Sequence, residues 1–174
     1  MVDELARRHG IAVDTIECNA LVGEGAAGAG STGGTARRVV LAKPQTFMNR
    51  SGFAARCLVE RRDLAPGDLL VVYDEAALPL GRIRLRPSGG PAGHRGIESV
   101  LGELRTDEVA RLRLGIAPEP PPEQPPEDLV GFVLAPFAAD ETETVERAVA
   151  AAADACEAWL AEGVEAAMNR FNAG

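Results

Sequence analysis

The sequence predicts an α/β domain in which a mixed, mostly parallel sheet carries helices on both faces. Runs typical of strands alternate along the chain with segments of helical spacing, which is the pattern of this fold class. The chain has 174 residues, 46% of them hydrophobic, which is enough to bury a core. Because we find no internal repeat and no convincing second domain, residues 1–174 are expected to form a single domain.

The helices are predicted from apolar residues three and four positions apart and from the signals at their ends. Gly10 follows the first helix and is the residue type that commonly ends one. Acidic residues lie in the first turn of the long alanine-rich helix near the C-terminus, where they favour helix formation. The predicted helices cover residues 2–9, 51–62, 94–104, 140–163 and 164–172.

The strands are predicted from apolar runs that are either continuous or alternating. The run 69–73 is continuous, which is typical of a strand buried on both faces. Residues 81–86 alternate arginine with apolar side chains, which is typical of a strand with one wet face. The Gly-rich segment 23–35 is predicted as a turn and the Pro-rich segment 118–126 as a stiff surface loop. The predicted strands cover residues 18–22, 38–41, 69–73, 81–86, 110–116 and 129–134.

Composition excludes some classes of protein. No apolar run approaches the roughly 20 residues that span a bilayer, and the N-terminus lacks the features of a signal peptide. Cys18, Cys57 and Cys156 lie far apart, which suits neither a disulfide framework nor a metal site, so a reducing cytoplasm is expected.

The charge is unevenly distributed along the chain. The formal net charge is −8. Residues 43–113 hold 12 basic and 9 acidic side chains, a net of +3, whereas the remainder holds 6 and 17, a net of −11. The middle of the chain could therefore face a polyanion such as nucleic acid.

Residues 23–28 match the pattern G-x-G-x-x-G of dinucleotide-binding proteins. That function requires a helix at the third glycine and an acidic residue about 20 positions further on. Residues 29–34 are a poor helix, and no acidic residue lies near Gln45. The tip of a hairpin is the better interpretation.

Three polar side chains are candidates for chemistry. Asn49 lies between a strand and a helix, beside Phe47; it either offers an amide to a ligand or caps the helix. Asp74 follows the run 69–73, where it orients an imidazole, holds a metal or merely forms a turn. His94 opens a helix after a glycine-rich loop, as a functional group or as a cap, whereas His9 is interpreted as a helix-end cation.

A row of arginines is a candidate for phosphate contact. Arg82, Arg84 and Arg86 would share one face of a strand, with Arg95 nearby in sequence. Such a row contacts phosphate where it borders a cleft and is otherwise a solvated sheet face. The spacing alone does not separate the two.

Taken in order, these motifs resemble bacterial peptidyl-tRNA hydrolase. The resemblance spans the chain from Val2 to Asn172. The motifs that carry it are Lys43-Pro44 with Phe47-Met48-Asn49 and Ser51-Gly52, Tyr73-Asp74-Glu75, Leu78-Pro79-Leu80-Gly81, Ser88-Gly89-Gly90 with Gly93-His94, Arg111-Leu112-Arg113-Leu114-Gly115-Ile116, and Val130-Gly131-Phe132-Val133-Leu134.

The resemblance implies a three-layer α/β/α sandwich, a cytoplasmic monomer, and hydrolysis of the ester that joins a peptide to the 3′ end of tRNA. It implies no metal and no organic cofactor. Asp74 matches the aspartate that orients the general-base histidine, and Asn49 matches an amide that positions water and substrate. Phe47 matches a contact residue beside that amide, and His94 matches the histidine of the Gly-Gly-His loop. The expected partner is tRNA, with Arg95 and the arginine row as further contacts.

The sequence departs from the family in two places. The family's first strand and the segment with its general-base histidine would precede Met1, so the expected sheet lacks its first strand and the chain is expected to be weakly active or inactive. A misplaced start is the favoured explanation, ahead of a truncation or a genuine non-catalytic relative. Arg95 stands where the family has asparagine. The alternative function is a tRNA-binding protein without catalysis, and a dehydrogenase ranks third.

Overall fold

The computed structural model describes residues 1–28, 36–121 and 126–172. Its helices are α1 (Val2–His9), α2 (Ser51–Arg61), α3 (Arg95–Leu104), α4 (Leu129–Leu134), α5 (Thr142–Glu162) and α6 (Val164–Phe171). Its strands are β1 (Thr15–Glu17), β2 (Ala20–Ala27), β3 (Arg37–Pro44), β4 (Leu70–Pro79), β5 (Ile83–Arg86) and β6 (Ala110–Ala117). Within these described ranges, no helix is long and apolar enough to cross a membrane.

The α/β class is confirmed, and the strands form two three-stranded sheets with the orders β1-β2-β3 and β4-β6-β5. The pairs β1–β2, β2–β3 and β5–β6 are antiparallel. Antiparallel pairing therefore has a larger share of the sheets than the alternation of strands and helices predicts. Two-residue and short connections, such as Cys18-Asn19 between β1 and β2, allow such pairs.

The chain divides into two compact units, and the prediction of a single domain stays a prediction. The first unit comprises residues 1–70 and 87–110, and the second comprises residues 71–86 and 111–174. In the first unit, the antiparallel sheet packs against α2 through Ala20, Val22, Ala54 and Leu58. This core supports the loop that connects β3 to α2.

In the second unit, β5 is an edge strand of its sheet in the part of the chain that the structure describes. The outward N–H and carbonyl groups of an edge strand can pair with another chain and so promote aggregation. Asn172 covers this edge from beyond the end of α6. Its side-chain oxygen accepts from the Leu85 N–H at 2.8 Å, and its side-chain nitrogen donates to the Leu85 carbonyl at 3.0 Å. The C-terminal residues thus complete the hydrogen bonding of β5.

Two strand predictions need correction. Residues 129–134, expected as a strand, form α4, because Asp128 accepts the Gly131 N–H at 2.8 Å and caps a helix. A short apolar run does not by itself distinguish strand from helix. The run 69–73 is half-buried and continues to Pro79, so Asp74 lies within β4 and not just after the end of a strand.

The glycine-rich segment is partly strand. Gly23 and Gly25 belong to β2, and residues 29–35 of the predicted turn lie outside the described residues. A Cβ atom on Gly23 would lie 2.2 Å from the Ala12 carbonyl oxygen, and one on Gly25 would lie 2.5 Å from Ile11. These glycines allow the preceding chain to pack closely on the strand.

The expectation that the cysteines do not pair is wrong. Cys18 and Cys57 form a disulfide with a Cα–Cα distance of 5.7 Å, and Cys156 is a buried thiol outside this disulfide. Cys18 lies in the two-residue β1–β2 turn, and Cys57 lies on α2. The two cysteines are 39 residues apart in the sequence, and they meet only because the β1–β2 turn packs against α2. The sequence spacing therefore did not predict the disulfide.

Candidate active site and RNA-binding face

In the first unit, Asn49 lies on a single 3₁₀ turn between β3 and α2. The Gln45 N–H donates to the Asn19 carbonyl at 2.8 Å, which attaches the end of β3 to the β1–β2 turn. The chain is extended at Phe47 and then forms the 3₁₀ turn Met48–Arg50. Asn49 is exposed, and the Phe47 ring is 80% exposed. An exposed aromatic ring beside an exposed amide suits a ligand with an apolar part and a hydrogen-bonding part.

His94 is the N-cap of α3. Its Nδ1 accepts hydrogen bonds from the N–H groups of Gly96 and Ile97, each at 3.2 Å. An Nδ1 atom that accepts two N–H donors carries no proton, so the neutral ring has its proton on Nε2. The capping role that the sequence left as an alternative is therefore present, and Nε2 is the ring's donor atom.

The 3₁₀ turn that carries Asn49 contacts the first turn of the helix that His94 caps. Met48 lies on Gly96: a Cβ atom at Gly96 would lie 2.4 Å from the Met48 sulfur. Asn49 therefore directly follows Met48, and the Met48 side chain contacts the first turn of α3, the helix that His94 caps. Arg95, the first residue of that helix, is exposed.

Arg50 is a residue that the sequence analysis missed. It lies between Asn49 and α2, it is exposed, and no ion pair to it is found in the described parts of the chain. Arg95 is likewise exposed and without an ion pair among the described residues. By contrast, Arg56 and Arg62 on the same helix region bind carboxylates. The charge of Arg50, directly beside the candidate amide, was the available signal.

The other predicted site residues belong to the second unit. Asp74 is a half-buried residue in the middle of β4. Its neighbour Glu75 lies 3.3 Å from Arg113 of β6. Arg82 precedes β5, where its carbonyl accepts from the Gly115 N–H at 2.8 Å, and its side chain is exposed.

Two of the three arginines of the predicted row lie on β5, whereas Arg82 lies just before the strand. Arg84 and Arg86 are exposed on β5 and alternate with apolar residues, as predicted. In the antiparallel register Arg84 lies opposite Arg113, and Arg86 lies opposite Arg111. Side chains of directly opposite residues lie on the same sheet face, so four arginines share this face. Arg111 is only 2% exposed.

Among the described residues, no group of three or more histidine, cysteine, aspartate or glutamate side chains is placed to hold a metal ion.

Comparison with known proteins decides the family. The family model described as "Peptidyl-tRNA hydrolase" matches residues 1–174. The chain belongs to the peptidyl-tRNA hydrolase family. The family and the enzyme class that the motifs predicted are confirmed.

Individual members agree with this assignment. The peptidyl-tRNA hydrolase of Gloeobacter violaceus is 45% identical over 172 residues, which are 99% of this chain and 82% of that protein. The enzyme of Symbiobacterium thermophilum is 41% identical, over 99% of this chain and 86% of its own length. The crystal structure of peptidyl-tRNA hydrolase from Acinetobacter baumannii matches with a TM-score of 0.83 and 29% identity, covering 99% of this chain and 82% of that one.

Proposed function

We propose that this chain hydrolyses the ester between a peptide and the 3′ end of tRNA, with Asn49 and His94 at the reaction centre. The observation that carries the proposal is the contact of the Asn49 turn with the first turn of the helix that His94 caps. It combines an amide and an imidazole donor at one place in a chain of this family.

Ester hydrolysis needs donors for the oxygen that becomes negative in the transition state. Water attacks the ester carbonyl and forms a tetrahedral intermediate with an oxyanion, which is stabilised by preorganised N–H donors. The Asn49 amide and His94 Nε2–H are such donors. The exposed Phe47 ring would lie against the apolar part of the substrate.

Asp74 is proposed to orient the histidine that acts as general base. Because the Nδ1 lone pair of His94 accepts two backbone N–H groups, we assign His94 a donor role and not that of the base. Absence of a general base typically costs about 10²–10⁴ in rate, so slow turnover by these 174 residues stays our prediction.

tRNA is the proposed partner, with the exposed Arg82, Arg84 and Arg86 of the second unit and the exposed Arg95 of the first unit as its proposed contacts. Exposed guanidinium groups bind nucleic acid by neutralising its phosphates. These arginines also favour the alternative function, a tRNA-binding protein without catalysis. A cytoplasmic monomer without metal or cofactor is proposed on the family resemblance alone, because the disulfide removes the argument from the cysteines.

The first test is single-turnover hydrolysis of N-blocked aminoacyl-tRNA with the 174-residue chain in excess. We expect a rate about 10²–10⁴-fold below that of the Gloeobacter violaceus relative measured alongside. A rate equal to that of the relative would mean that the base lies within these residues. tRNA binding with no hydrolysis above buffer would favour the non-catalytic alternative.

The second test separates the roles of His94 as cap and as donor. Asparagine is a good N-cap, so His94→Asn is expected to keep the thermal stability of the wild type and still lower the rate constant, while His94→Ala lowers both. Asn49→Asp keeps the shape of the side chain but removes its N–H donor, and should slow hydrolysis by roughly 10²–10³. Unchanged rates in both Asn49→Asp and His94→Asn would contradict the proposed reaction centre.

A further inference from the structure

The helices α2 and α3 meet at one unusually close point, between Gly52 and Ser99. Gly52 is buried, and a Cβ atom there would lie 2.0 Å from the Ser99 carbonyl oxygen. The Gly52 N–H donates to the Ser99 hydroxyl oxygen at 3.0 Å. Any larger residue at position 52 would force the two helices apart.

The Ser99 hydroxyl does for α2 what an N-cap side chain does for other helices. The first N–H groups of a helix have no partner within the helix and need an acceptor from elsewhere. The N-cap residue of α2 is Arg50, which makes no side-chain capping bond. Ser99, which belongs to the other helix, supplies the acceptor for Gly52. The start of α2 is therefore held by α3.

The residues held in this way carry the candidate site. Asn49 lies three residues before Gly52, and Ser99 lies five residues after His94. A second contact, of Met48 with Gly96, joins the same two segments. We propose that Ser99 is a positioning residue for peptidyl-tRNA hydrolysis, which fixes the Asn49 amide relative to the His94 ring through its bond to Gly52. This inference rests on the roles proposed above for Asn49 and His94.

The chain offers a matched control on the same pair of helices. Arg56 on α2 donates to Glu103 on α3 at 2.8 Å, about one helical turn further from the site than Gly52 and Ser99. This ion pair also joins α2 to α3. The Glu103 stem itself lies beside Gly52, because a Cβ atom there would lie 2.9 Å from the Glu103 Cγ, so the control removes the ion pair from the Arg56 side. Arg56→Met leaves Glu103 in place and tests the loss of an α2–α3 link further from the site.

The expected effect of Ser99→Ala is on the hydrolysis step and not on tRNA binding. We expect the single-turnover rate constant to fall roughly tenfold, since small misplacement of a reacting group is costly, with an unchanged Kd for deacylated tRNA. Threonine and valine have the same shape, but only threonine keeps the hydroxyl, so Ser99→Thr should be faster than Ser99→Val by a similar factor. Arg56→Met should hydrolyse at the wild-type rate. Equal rates for the threonine and valine variants would overturn the proposal.

A double-mutant cycle identifies the residue through which Ser99 acts. If Ser99 positions Asn49, then Ser99→Ala should cost nothing further in an Asn49→Ala chain, whereas an unrelated loss of structure would slow both chains by the same factor. If Asn49→Ala alone leaves the rate unchanged, the proposed role of Asn49 fails. That failure is visible without any variant of Ser99.

Nuclear magnetic resonance gives a second measurement that does not depend on turnover. Amide exchange of Gly52 should be slow in the wild type and in Ser99→Thr, and fast in Ser99→Ala and Ser99→Val. The signals of the Asn49 side-chain amide should shift in Ser99→Ala and stay in place in Arg56→Met. Unshifted Asn49 signals in Ser99→Ala would overturn the positioning role even where hydrolysis is too slow to compare.

Discussion

At the scale of single residues, Arg84 and Arg86 of β5 differ from most arginines of the first unit. Arg7, Arg38 and Arg62 bind carboxylates, so their charges are largely compensated. Arg84 and Arg86 are exposed on a face where they lie opposite two further arginines. A strand that places like charges opposite each other loses stability, and an anionic partner is the physical reason we propose for keeping them.

Removal of these charges should weaken tRNA binding in a salt-dependent way. For Arg84→Ala and Arg86→Ala we expect the slope of log K against log salt concentration to lessen by about 1 for each phosphate that the protein no longer neutralises. The measurement is a titration with labelled tRNA at several salt concentrations. Arg7→Ala, which removes an exposed but ion-paired arginine of the first unit, is the control. Identical slopes for all three variants and the wild type would exclude this face as the contact surface.

At the scale of secondary-structure elements, the first unit is held together by links between parts distant in sequence. The disulfide joins the β1–β2 turn to α2, and the same turn accepts the Gln45 N–H ahead of the Asn49 segment. Arg62, at the end of α2, binds Glu17 of β1 and Glu24 of β2. The site loop is therefore connected at both ends to a cross-linked sheet and helix.

Opening the disulfide should lower the stability of this unit. For a closed loop of this length, the free energy of unfolding is expected to fall by roughly 2–4 kcal/mol on reduction. Urea unfolding with and without dithiothreitol measures it. The variant with both Cys18→Ser and Cys57→Ser should resemble the reduced wild type and be insensitive to the reductant. A wild type with the same urea midpoint in both conditions would show that the bond contributes nothing.

At the scale of the whole molecule, acidic side chains outnumber basic ones. Several of the carboxylates accept hydrogen bonds from arginines, which lower their pKa values. Hydrogen bonds from Arg62 lower the pKa of Glu17, and those from Arg38 and Arg62 lower the pKa of Glu24. Hydrogen bonds from Arg7 and Arg8 lower the pKa of Glu4 to about 2. The ordinary glutamate value is 4.5. The unfolded chain therefore binds more protons than the folded chain at pH values below about 5.

Stability should therefore fall as the pH decreases from about 5 toward 2. The contribution of these carboxylates is fully present above their ordinary pKa and is lost as the pH falls through the lowered values. Urea midpoints between pH 7 and pH 3 measure the trend. Arg62→Met should flatten it, because the pKa of Glu17 then returns toward 4.5. An acid dependence equal to that of the wild type in Arg62→Met would contradict this assignment.

The sequence by itself determined the features that depend on neighbouring residues. The alternation of arginine with apolar residues placed Arg84 and Arg86 on one exposed face, and the glycine-rich loop before His94 placed that histidine at the start of a helix. Strand periodicity and helix capping are local effects, and the family motifs are runs of sequence. For that reason the fold class and the family could be predicted.

Only the tertiary structure decided the contacts between distant segments. The pairing of Cys18 with Cys57, the bond from Gly52 to Ser99, and the register that sets Arg84 opposite Arg113 join residues 29 to 47 positions apart. No local propensity encodes such contacts, because they depend on how helices and strands pack and in which register strands pair. The helical state of residues 129–134 follows instead from a local signal, the adjacent Asp128 cap, on an apolar run that suits either structure.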